Sequence, residues 1–352
     1  MQDPSFSQRL LYWHATVDRD LPWKETADPY AIWISEIILQ QTRVAQAIPY
    51  YYAFLENFPT VMDLAEAEED QVFKVWQGLG YYSRARNLHF SAKYVVEELA
   101  GKFPATHEEI LKLKGVGPYT AAAIASFAYG LPHAVLDGNV MRVLSRHYGI
   151  DSPIDKTSTK HEMQAIADGL LDPDRPAHFN QAMMDLGATI CTPKKYNCAA
   201  CPLQETCHAH LKGNQDLLPR KKKKIVKKTR FLNFIVPIDR EGNTYLRKRN
   251  DRDIWAGLYE FPMAEASVQE SYRETLSALG WALKSELIYT EEVRHILTHQ
   301  VIKAQFFLLK VQALPANDQY PLHKWDNLKN FALPRLISKL IPTLSEKIDK
   351  GD

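Results

Sequence analysis

Cysteine is absent from most of this 352-residue chain, because all four cysteines lie between positions 191 and 207. No run of about eighteen apolar residues occurs, so we expect no membrane-spanning helix and no membrane partner. The net charge is only +1, which by itself gives no affinity for nucleic acid. The first residues also lack the basic and then apolar layout of a signal peptide, so we expect the protein to work inside a cell.

Positive charge is nevertheless concentrated in one segment. Between Lys212 and Arg230 there are nine Lys or Arg residues and one acid, Asp216, a local charge of +8. The rest of the chain must therefore sum to −7, since +8 and −7 give the net +1. This segment predicts a solvated linker, with a DNA contact, a partner-docking segment and a nuclear address as alternatives.

A chain of this length is expected to form two domains. Residues 1–212 lack the period-two alternation of strands, and Asp28-Pro29 is typical of a helix start, so this part is predicted to be all-α. Helices are expected at roughly 60–77, 82–100, 106–113, 118–129, 138–147, 159–170 and 176–188. After a linker at 213–230, residues 231–346 predict an α+β domain. Its expected elements are strands at 231–238, 244–249 and 304–311 and a helix at 268–279.

The cysteines follow the spacing C-x6-C-x2-C-x5-C. Four thiolates this close together can hold either a tetrahedral zinc ion or a [4Fe–4S] cluster. Zinc sites commonly use two C-x2-C pairs, and this segment has one, so the pattern favours the cluster. The expected ligands are Cys191, Cys198, Cys201 and Cys207.

Gly115 and Gly117 lie between two predicted helices, in Leu-Lys-Gly-Val-Gly-Pro-Tyr. Two glycines one residue apart allow a tight turn, and the amides that open the second helix can then bind an anion. The pattern predicts a sequence-independent grip on one DNA phosphate, although a plain helix–helix turn would look the same.

Two carboxylates are candidates for acid and base chemistry. Glu36 lies among apolar residues of the helix predicted to start at Asp28-Pro29, where a raised pKa would make it a general acid, unless it is a surface glutamate. Asp137 precedes another predicted helix, where the alternative is a simple N-cap. Removing a purine from DNA requires protonation of the base and stabilisation of a sugar cation, so one protonated and one ionised carboxyl would suit that reaction.

Taken together, these motifs resemble those of the MutY-type adenine DNA glycosylases. These enzymes belong to the endonuclease III superfamily, whose members share a helix-hairpin-helix motif. The residues that carry the resemblance are Ser35–Thr42, Gly78–Leu88, the glycine hairpin, Leu136–Val140, Asn180–Gly187 and the four cysteines. The resemblance implies base flipping and hydrolysis of the N-glycosidic bond of adenine mispaired with 8-oxoguanine or guanine in double-stranded DNA.

The resemblance also implies the roles of individual residues. Glu36 would protonate adenine and Asp137 would stabilise the sugar cation, with Tyr119 and Asn139 supporting them. Contacts to DNA would come from Gln41, Thr42, Tyr81, Gly115 and Gly117, and the adenine pocket would contain Trp23, Lys24, Leu39 and Gln181. Lys24 replaces an arginine of many relatives. Because Tyr119 stands where endonuclease III carries a catalytic lysine, the enzyme should be monofunctional and leave an abasic site.

The second domain resembles the Nudix-like domain of the same family through Trp255-Ala256-Gly257-Leu258-Tyr259-Glu260-Phe261-Pro262. Ser277 and Ala278 stand where a Nudix hydrolase needs metal-binding glutamates, so the domain should recognise oxidised guanine without hydrolysing it. Its recognition loop would be Leu297, Thr298 and His299, where relatives usually carry Phe-Ser-His. The alternative for this loop is a polar turn before a strand.

Other functions also fit parts of the pattern. The chain could act on a damaged pyrimidine or a thymine mismatch, or be a non-catalytic lesion sensor. We expect a monomer in a bacterial cytoplasm on the nucleoid, or in the nucleus if the source is eukaryotic.

Overall fold

The structure is a computed structural model that describes residues 5–17, 19–222, 227–250 and 253–350. Its contacts divide the chain into two compact units. Unit 1 contains Met1–Glu66 and Asn87–Lys223, and unit 2 contains Ala67–Arg86 and Lys224–Asp352. No helix in the described ranges is long and apolar enough to cross a membrane.

The predicted all-α character of the first part of the chain is confirmed. Its helices are α1 Phe6–His14, α2 Pro29–Leu39, α3 Val44–Asn57, α4 Val61–Glu66, α5 Glu69–Val75, α6 Ser83–Glu98, α7 His107–Ile110, α8 Pro118–Tyr129, α9 Gly138–Tyr148, α10 Thr157–Leu170, α11 Pro176–Asp185 and α12 His208–Lys212. The boundaries follow local capping, as at Asp28, whose side chain accepts from the amides of Tyr30 and Ala31.

Two predicted helices differ from the observed ones for local reasons. The helix expected at 60–77 is split into α4 and α5, because Glu68 forms a capping box with Gln71 and starts a new helix. The helix expected at 176–188 ends at Asp185 and continues as a π-helical turn, Leu186–Ile190. Gly187 in that turn lies against Asn139, where an added Cβ would come within 2.6 Å of the Asn139 Cβ.

Unit 2 has a mixed sheet and several short helices. Its strands are β1 Lys228–Ile238, β2 Asn243–Tyr245, β3 Arg247–Lys248, β4 Tyr259–Glu260, β5 Met263–Ala266, β6 Ser285–Ile296, β7 Gln300–Val311 and β8 Leu322–Lys324. The four-stranded sheet has the order β5-β1-β7-β6, with β1 parallel to β7 and the other pairs antiparallel. Its later helices are α13 Tyr272–Ala278, α14 Arg335–Ser338 and α15 Ile341–Lys350. The expected α+β architecture is thus confirmed.

Segment Ala67–Arg86 packs with unit 2, although it precedes that unit's sheet by more than a hundred residues in the chain. Asp70 accepts hydrogen bonds from Lys248 Nζ at 2.5 Å and from the Tyr259 hydroxyl at 2.9 Å. Gly257 also packs tightly on this segment, since an added Cβ there would lie 2.6 Å from the Phe73 ring. The contact-based division therefore differs from the boundaries expected from the sequence, which placed this segment within 1–212.

Candidate active site

Glu36 is buried in the middle of α2, with its carboxyl group inside unit 1 rather than on the surface. Burial raises the pKa of this carboxyl to about 7; a hydrogen bond with Tyr119 opposes the rise and the negative charge of Asp137 adds to it. Its Oε2 atom has no hydrogen-bond partner within the described ranges. Glu36 is therefore a carboxyl group that titrates near neutral pH and carries its proton below that pH.

Tyr119 lies beside Glu36 because the glycine hairpin places it in the first turn of α8. Gly115 has φ +85°, and a Cβ added there would lie 2.9 Å from the Asn87 Cβ, so this turn requires glycine. Gly117 is the N-cap of α8 and Pro118 is its first residue. Both carboxylates and the burial of the ring raise the pKa of Tyr119 well above its usual value, with burial the largest cause.

Asp137 is the N-cap of α9, so the N-cap interpretation was correct, and the same side chain also belongs to the Glu36 site. It accepts hydrogen bonds from the Val140 amide and the Asn139 Nδ2, each at 2.7 Å. Burial raises its pKa, while these hydrogen bonds and the charge of Arg142 oppose the rise. The arrangement holds one orientation of a carboxylate whose anion is supported by a helix N-terminus.

Two of the residues expected in the adenine pocket converge on a carboxylate that the sequence analysis missed. Asp185, fully buried at the end of α11, accepts from Gln181 Nε2 at 3.1 Å and from Lys24 Nζ at 3.0 Å. His14 Nε2 lies 3.0 Å from the same carboxylate, and Arg19 also donates to it. Burial raises the pKa of Asp185, but the hydrogen bonds from His14, Arg19 and Lys24 outweigh it and the net shift is downward.

The other two expected pocket residues are also in unit 1. Trp23 is buried and packs edge-on against Tyr51, with ring centroids 5.6 Å apart. Leu39 is the last residue of α2 and is half-buried.

Gln41 and Tyr81, both expected to contact DNA, share an unusual backbone. Gln41 has φ +60° and Tyr81 has φ +48°. These values lie in the left-handed region, which residues other than glycine rarely adopt. Both are exposed, and Tyr81 keeps 49% of its surface accessible. Strained and exposed residues of this kind concentrate at functional sites. Thr42, next to Gln41, donates an amide hydrogen bond to the Leu39 carbonyl at 3.1 Å.

Within unit 2, the expected recognition loop lies beside Tyr81. Leu297, Thr298 and His299 form the turn between β6 and β7, closed by the Leu297 amide donating to the Gln300 carbonyl at 2.9 Å. The hydroxyl groups of Tyr81 and Thr298 are 2.5 Å apart. These residues line a cavity of about 440 Å³ within unit 2. The polar-turn interpretation is therefore correct for the backbone, and the turn also forms part of a cavity.

The four cysteines line one small cavity in unit 1. Arg146 donates to Cys191 Sγ at 3.3 Å, and Gln215 Nε2 lies 3.6 Å from Cys198 Sγ. Across the described ranges, no group of three or more His, Cys, Asp or Glu side chains is arranged to hold a metal ion. The donor set, four sulfur atoms that line one cavity with hydrogen-bond donors at two of them, is nevertheless of the chemical kind that binds iron–sulfur clusters.

Family comparisons agree with this combination of fold and site. Residues 34–168 match the family model described as "HhH-GPD superfamily base excision DNA repair protein", and residues 233–343 match a NUDIX domain. The chain is thus an enzyme of base-excision DNA repair with a Nudix-like second domain.

Curated relatives narrow this class further. The chain is 35% identical to the adenine DNA glycosylase of Mus musculus over 93% of this chain and 75% of that protein. It is 34% identical to the adenine DNA glycosylase of Buchnera aphidicola subsp. Acyrthosiphon pisum (strain APS), over 97% of this chain and 98% of that protein. The chain belongs to the adenine DNA glycosylase family.

Solved structures resemble the helical part. A thermostable thymine-DNA glycosylase superposes with a TM-score of 0.55 at 31% identity, covering 59% of this chain and 95% of that one. The fold is therefore shared with an enzyme whose name specifies a different base, so the fold alone does not determine which base is removed.

Proposed function

We propose that this protein hydrolyses the N-glycosidic bond of adenine paired with 8-oxoguanine, or with guanine, in double-stranded DNA. The observation that carries the proposal is the buried Glu36, whose pKa is raised to about 7, beside Tyr119 and Asp137. Such a carboxyl group is a general acid matched to neutral pH.

Each carboxyl group then has its own task. Glu36 donates its proton to a ring nitrogen of the flipped adenine, which makes the base a better leaving group. The bond to the sugar breaks, and Asp137, held by Asn139 and the Val140 amide, stabilises the resulting sugar cation. Water then adds to the sugar cation and gives up a proton, which returns to the Glu36 carboxylate, so that free adenine and an abasic site are the products.

The enzyme is proposed to be monofunctional because Tyr119 occupies the position after the hairpin. A phenol hydroxyl cannot form a Schiff base with the sugar, so the strand is not cleaved. The raised pKa of Tyr119 keeps it a neutral hydrogen-bond donor that supports Glu36.

Binding and base flipping are assigned to the hairpin and the two strained residues. Gly115 and Gly117 let the backbone amides at the start of α8 approach a DNA phosphate. Gln41 and Tyr81 are proposed to fill the space left in the duplex when adenine is extruded, and Thr42 is proposed to contact DNA next to Gln41. The exposure and the positive φ angles of Gln41 and Tyr81 support this role.

The adenine pocket is proposed to contain Trp23, Lys24, Leu39 and Gln181. Asp185 fixes the side chains of Lys24 and Gln181 by hydrogen bonds, and Tyr51 packs on the Trp23 ring. Lys24 takes the place of an arginine in many relatives, and its single ammonium group is already held by Asp185. We therefore expect its role to be positioning.

Recognition of the oxidised guanine is proposed for Leu297, Thr298 and His299. The Thr298 hydroxyl can meet the N7–H or O8 group that distinguishes this lesion from guanine. Hydrolysis by this domain is not expected, because Ser277 and Ala278 stand where a Nudix hydrolase needs metal-binding glutamates, and Glu274 of the same segment accepts from Ser271 in a capping box. Leu297 packs against the core of unit 2 in place of an aromatic ring.

Cys191, Cys198, Cys201 and Cys207 are proposed to hold a [4Fe–4S] cluster, which would join the ends of their loop. Arg146 and Gln215 would then stabilise thiolate charge through hydrogen bonds to sulfur. Iron and acid-labile sulfide in the purified protein, lost when the cysteines are replaced by serine, would test this assignment.

Other parts of the proposal concern the organisation and location of the enzyme. We assign residues 1–212 to the catalytic domain by sequence, 213–230 to a basic linker and 231–346 to the recognition domain. The protein is proposed to act as a monomer on DNA in a bacterial cytoplasm, or in the nucleus of a eukaryote.

The deciding experiment compares labelled duplexes that carry adenine opposite 8-oxoguanine, adenine opposite guanine, adenine opposite thymine, thymine opposite guanine, or an oxidised pyrimidine. Half of each reaction is treated with alkali before electrophoresis. The proposal expects cleavage of the adenine strand only after alkali, fastest opposite 8-oxoguanine, and no product from a Glu36→Gln protein. Thymine release, or cleavage without alkali at the pyrimidine, would assign the chain to a different specificity.

A further inference from the structure

The cavity beside Thr298 contains a cation that the proposed lesion-reading residues do not explain. Arg335, the first residue of α14, lines this cavity and is exposed. In the described ranges no acid forms an ion pair with it. The other guanidinium of the cavity, Arg86, is paired with Glu69 at 3.5 Å and donates to the Ala256 carbonyl.

Among the described residues that line the cavity, the one acid is already neutralised. Asp253 lies 2.7 Å from Arg230 and 3.5 Å from Arg249, both arginines being almost buried. The two histidines that line the cavity, His295 and His299, add no negative charge. The described lining of the cavity therefore has a surplus of positive charge, and Arg335 is the unpaired cation within it.

A second cation extends this charge. Lys339 follows Arg335 by one helical turn and is also exposed. Both charges act on His295, whose pKa is lowered by burial first and then by Arg335 and Lys339. The two side chains thus create a positive field on one side of the cavity, as an anion-binding site requires.

We propose that Arg335 binds a backbone phosphate of the strand that carries the oxidised guanine, with Lys339 adding charge at the edge of the same site. The inference rests on the proposed function only in taking this cavity as the place of the oxidised nucleotide. A nucleotide that enters the cavity brings a phosphodiester with it, and a planar guanidinium can hold two of its oxygens.

The test measures binding, so that excision is not needed. The full-length protein is titrated with a duplex that carries an uncleavable abasic analogue opposite 8-oxoguanine, or opposite guanine, over a series of salt concentrations. Arg335→Gln is compared with Arg335→Lys. Arg240→Gln is the matched control, because Arg240 is an exposed arginine of the same unit outside the cavity.

Arg335→Gln is expected to weaken both duplexes equally, by about tenfold, and to reduce the slope of log K against log salt by about 0.9, the value for one lost phosphate contact. Arg335→Lys should keep the slope, and Arg240→Gln should change neither quantity. A neutral methylphosphonate at the contacted phosphate should weaken the wild-type protein and leave Arg335→Gln unaffected.

Three results would overturn the proposal. An unchanged slope means that Arg335 makes no phosphate contact. A loss confined to the 8-oxoguanine duplex means that it reads the base. Competition by free 8-oxo-dGMP that depends on Arg335 would assign the site to a nucleotide monoester. If adenine excision fails while the slope changes as expected, the proposed function falls and this site stands.

Discussion

The hydroxyl group of Tyr81 lies 2.5 Å from the hydroxyl group of Thr298. Tyr81 has a strained backbone and Thr298 is at the tip of the β6–β7 turn, and the two residues are 217 positions apart in the chain. This hydrogen bond gives the proposed duplex wedge and the proposed lesion reader a direct link. Each of the two hydroxyls also becomes a fixed donor or acceptor facing the cavity.

The Thr298 hydroxyl should therefore contribute to lesion discrimination. Thr298→Val keeps the shape of the side chain but removes the hydrogen bond, worth about 1 kcal/mol. We expect the preference for adenine opposite 8-oxoguanine over adenine opposite guanine to fall about fivefold. Single-turnover excision rates on the two duplexes measure this ratio. Thr298→Ser should retain most of the preference. If the ratio of rates in Thr298→Val equals that of the wild type, the Thr298 hydroxyl does not contribute to lesion discrimination.

Excision should depend on pH through Glu36. Its proton is available below its pKa of about 7, so kcat/KM should fall about tenfold per pH unit above that value. On the acid side, protonation of Asp137 should reduce the rate, and this limb should lie above the usual aspartate range because burial raises the Asp137 pKa. A pH–rate profile measures both limbs. A rate that stays constant from pH 6 to pH 9 would remove Glu36 from the role of general acid.

The same pKa shift makes Glu36 costly to the fold at high pH. The native pKa of about 7 exceeds the ordinary 4.5, so the folded state binds the proton more tightly and the free energy of unfolding falls as pH rises from 4.5 to 7. The amide of Glu36→Gln cannot ionise, so this variant should be more stable than the wild type above pH 7, by up to about 3 kcal/mol. Urea unfolding at pH 5 and pH 8 tests this. The stability difference must grow with pH, and a constant difference contradicts it.

Asp185 should stabilise unit 1 and its adenine pocket together. Asp185→Asn leaves Arg19 and Lys24 without their carboxylate. The free energy of unfolding should fall by roughly 3 kcal/mol, because removing one partner of a buried pair leaves the other charge uncompensated. Because hydrogen bonds lower the Asp185 pKa, its contribution is present above the unfolded pKa and lost as pH falls through the folded one.

Asp172→Asn is the matched control for this change, because the Asp172–Arg175 pair is more exposed and should contribute less than about 1 kcal/mol. Urea unfolding gives both values. KM for the mispaired duplex should also rise in Asp185→Asn, as Lys24 and Gln181 lose their shared acceptor. Equal stability losses in the two variants would show that the buried ion pairs of Asp185 stabilise the fold no more than an exposed pair does.

The hairpin glycine can be tested with an internal control. Gly115→Ala must place a Cβ 2.9 Å from the Asn87 Cβ at φ +85°, whereas Gly130→Ala meets nothing within 4 Å at φ +65°. Both carry a positive-φ penalty of about 1 kcal/mol, but only the first should also displace the hairpin. DNA affinity should therefore fall at least tenfold more in Gly115→Ala. Similar affinities in the two variants would exclude the hairpin as a phosphate grip.

The sequence predicted the helices around the carboxylates well because their signals are local. Asp28-Pro29 and Gly117-Pro118 each mark a start by side-chain capping or a fixed φ angle, and both starts are observed. Strand β6 was not expected, because Ser285–Ile296 contains six charged or titratable side chains among its twelve residues. Its place in the sheet depends on pairing with β7, which lies beyond the reach of local patterns.

Asp185 shows what the sequence could not indicate. It was visible only as an acid in a helical motif, and its partners His14, Arg19 and Lys24 lie more than 150 residues earlier in the chain. Nothing in the spacing of those residues shows that they share one acceptor. The burial of that acceptor and the convergence of its partners are properties of the folded unit.

The attachment of segment Ala67–Arg86 to unit 2 has a consequence for chimeric enzymes. A hybrid made by exchanging residues after the linker between two relatives would separate Asp70 and Phe73 from their contact partners Lys248, Tyr259 and Gly257. The fit of the transplanted domain would then depend on helix α5, which is encoded before the junction and comes from the other parent. A transplanted recognition domain should keep its specificity only when that helix is transplanted with it.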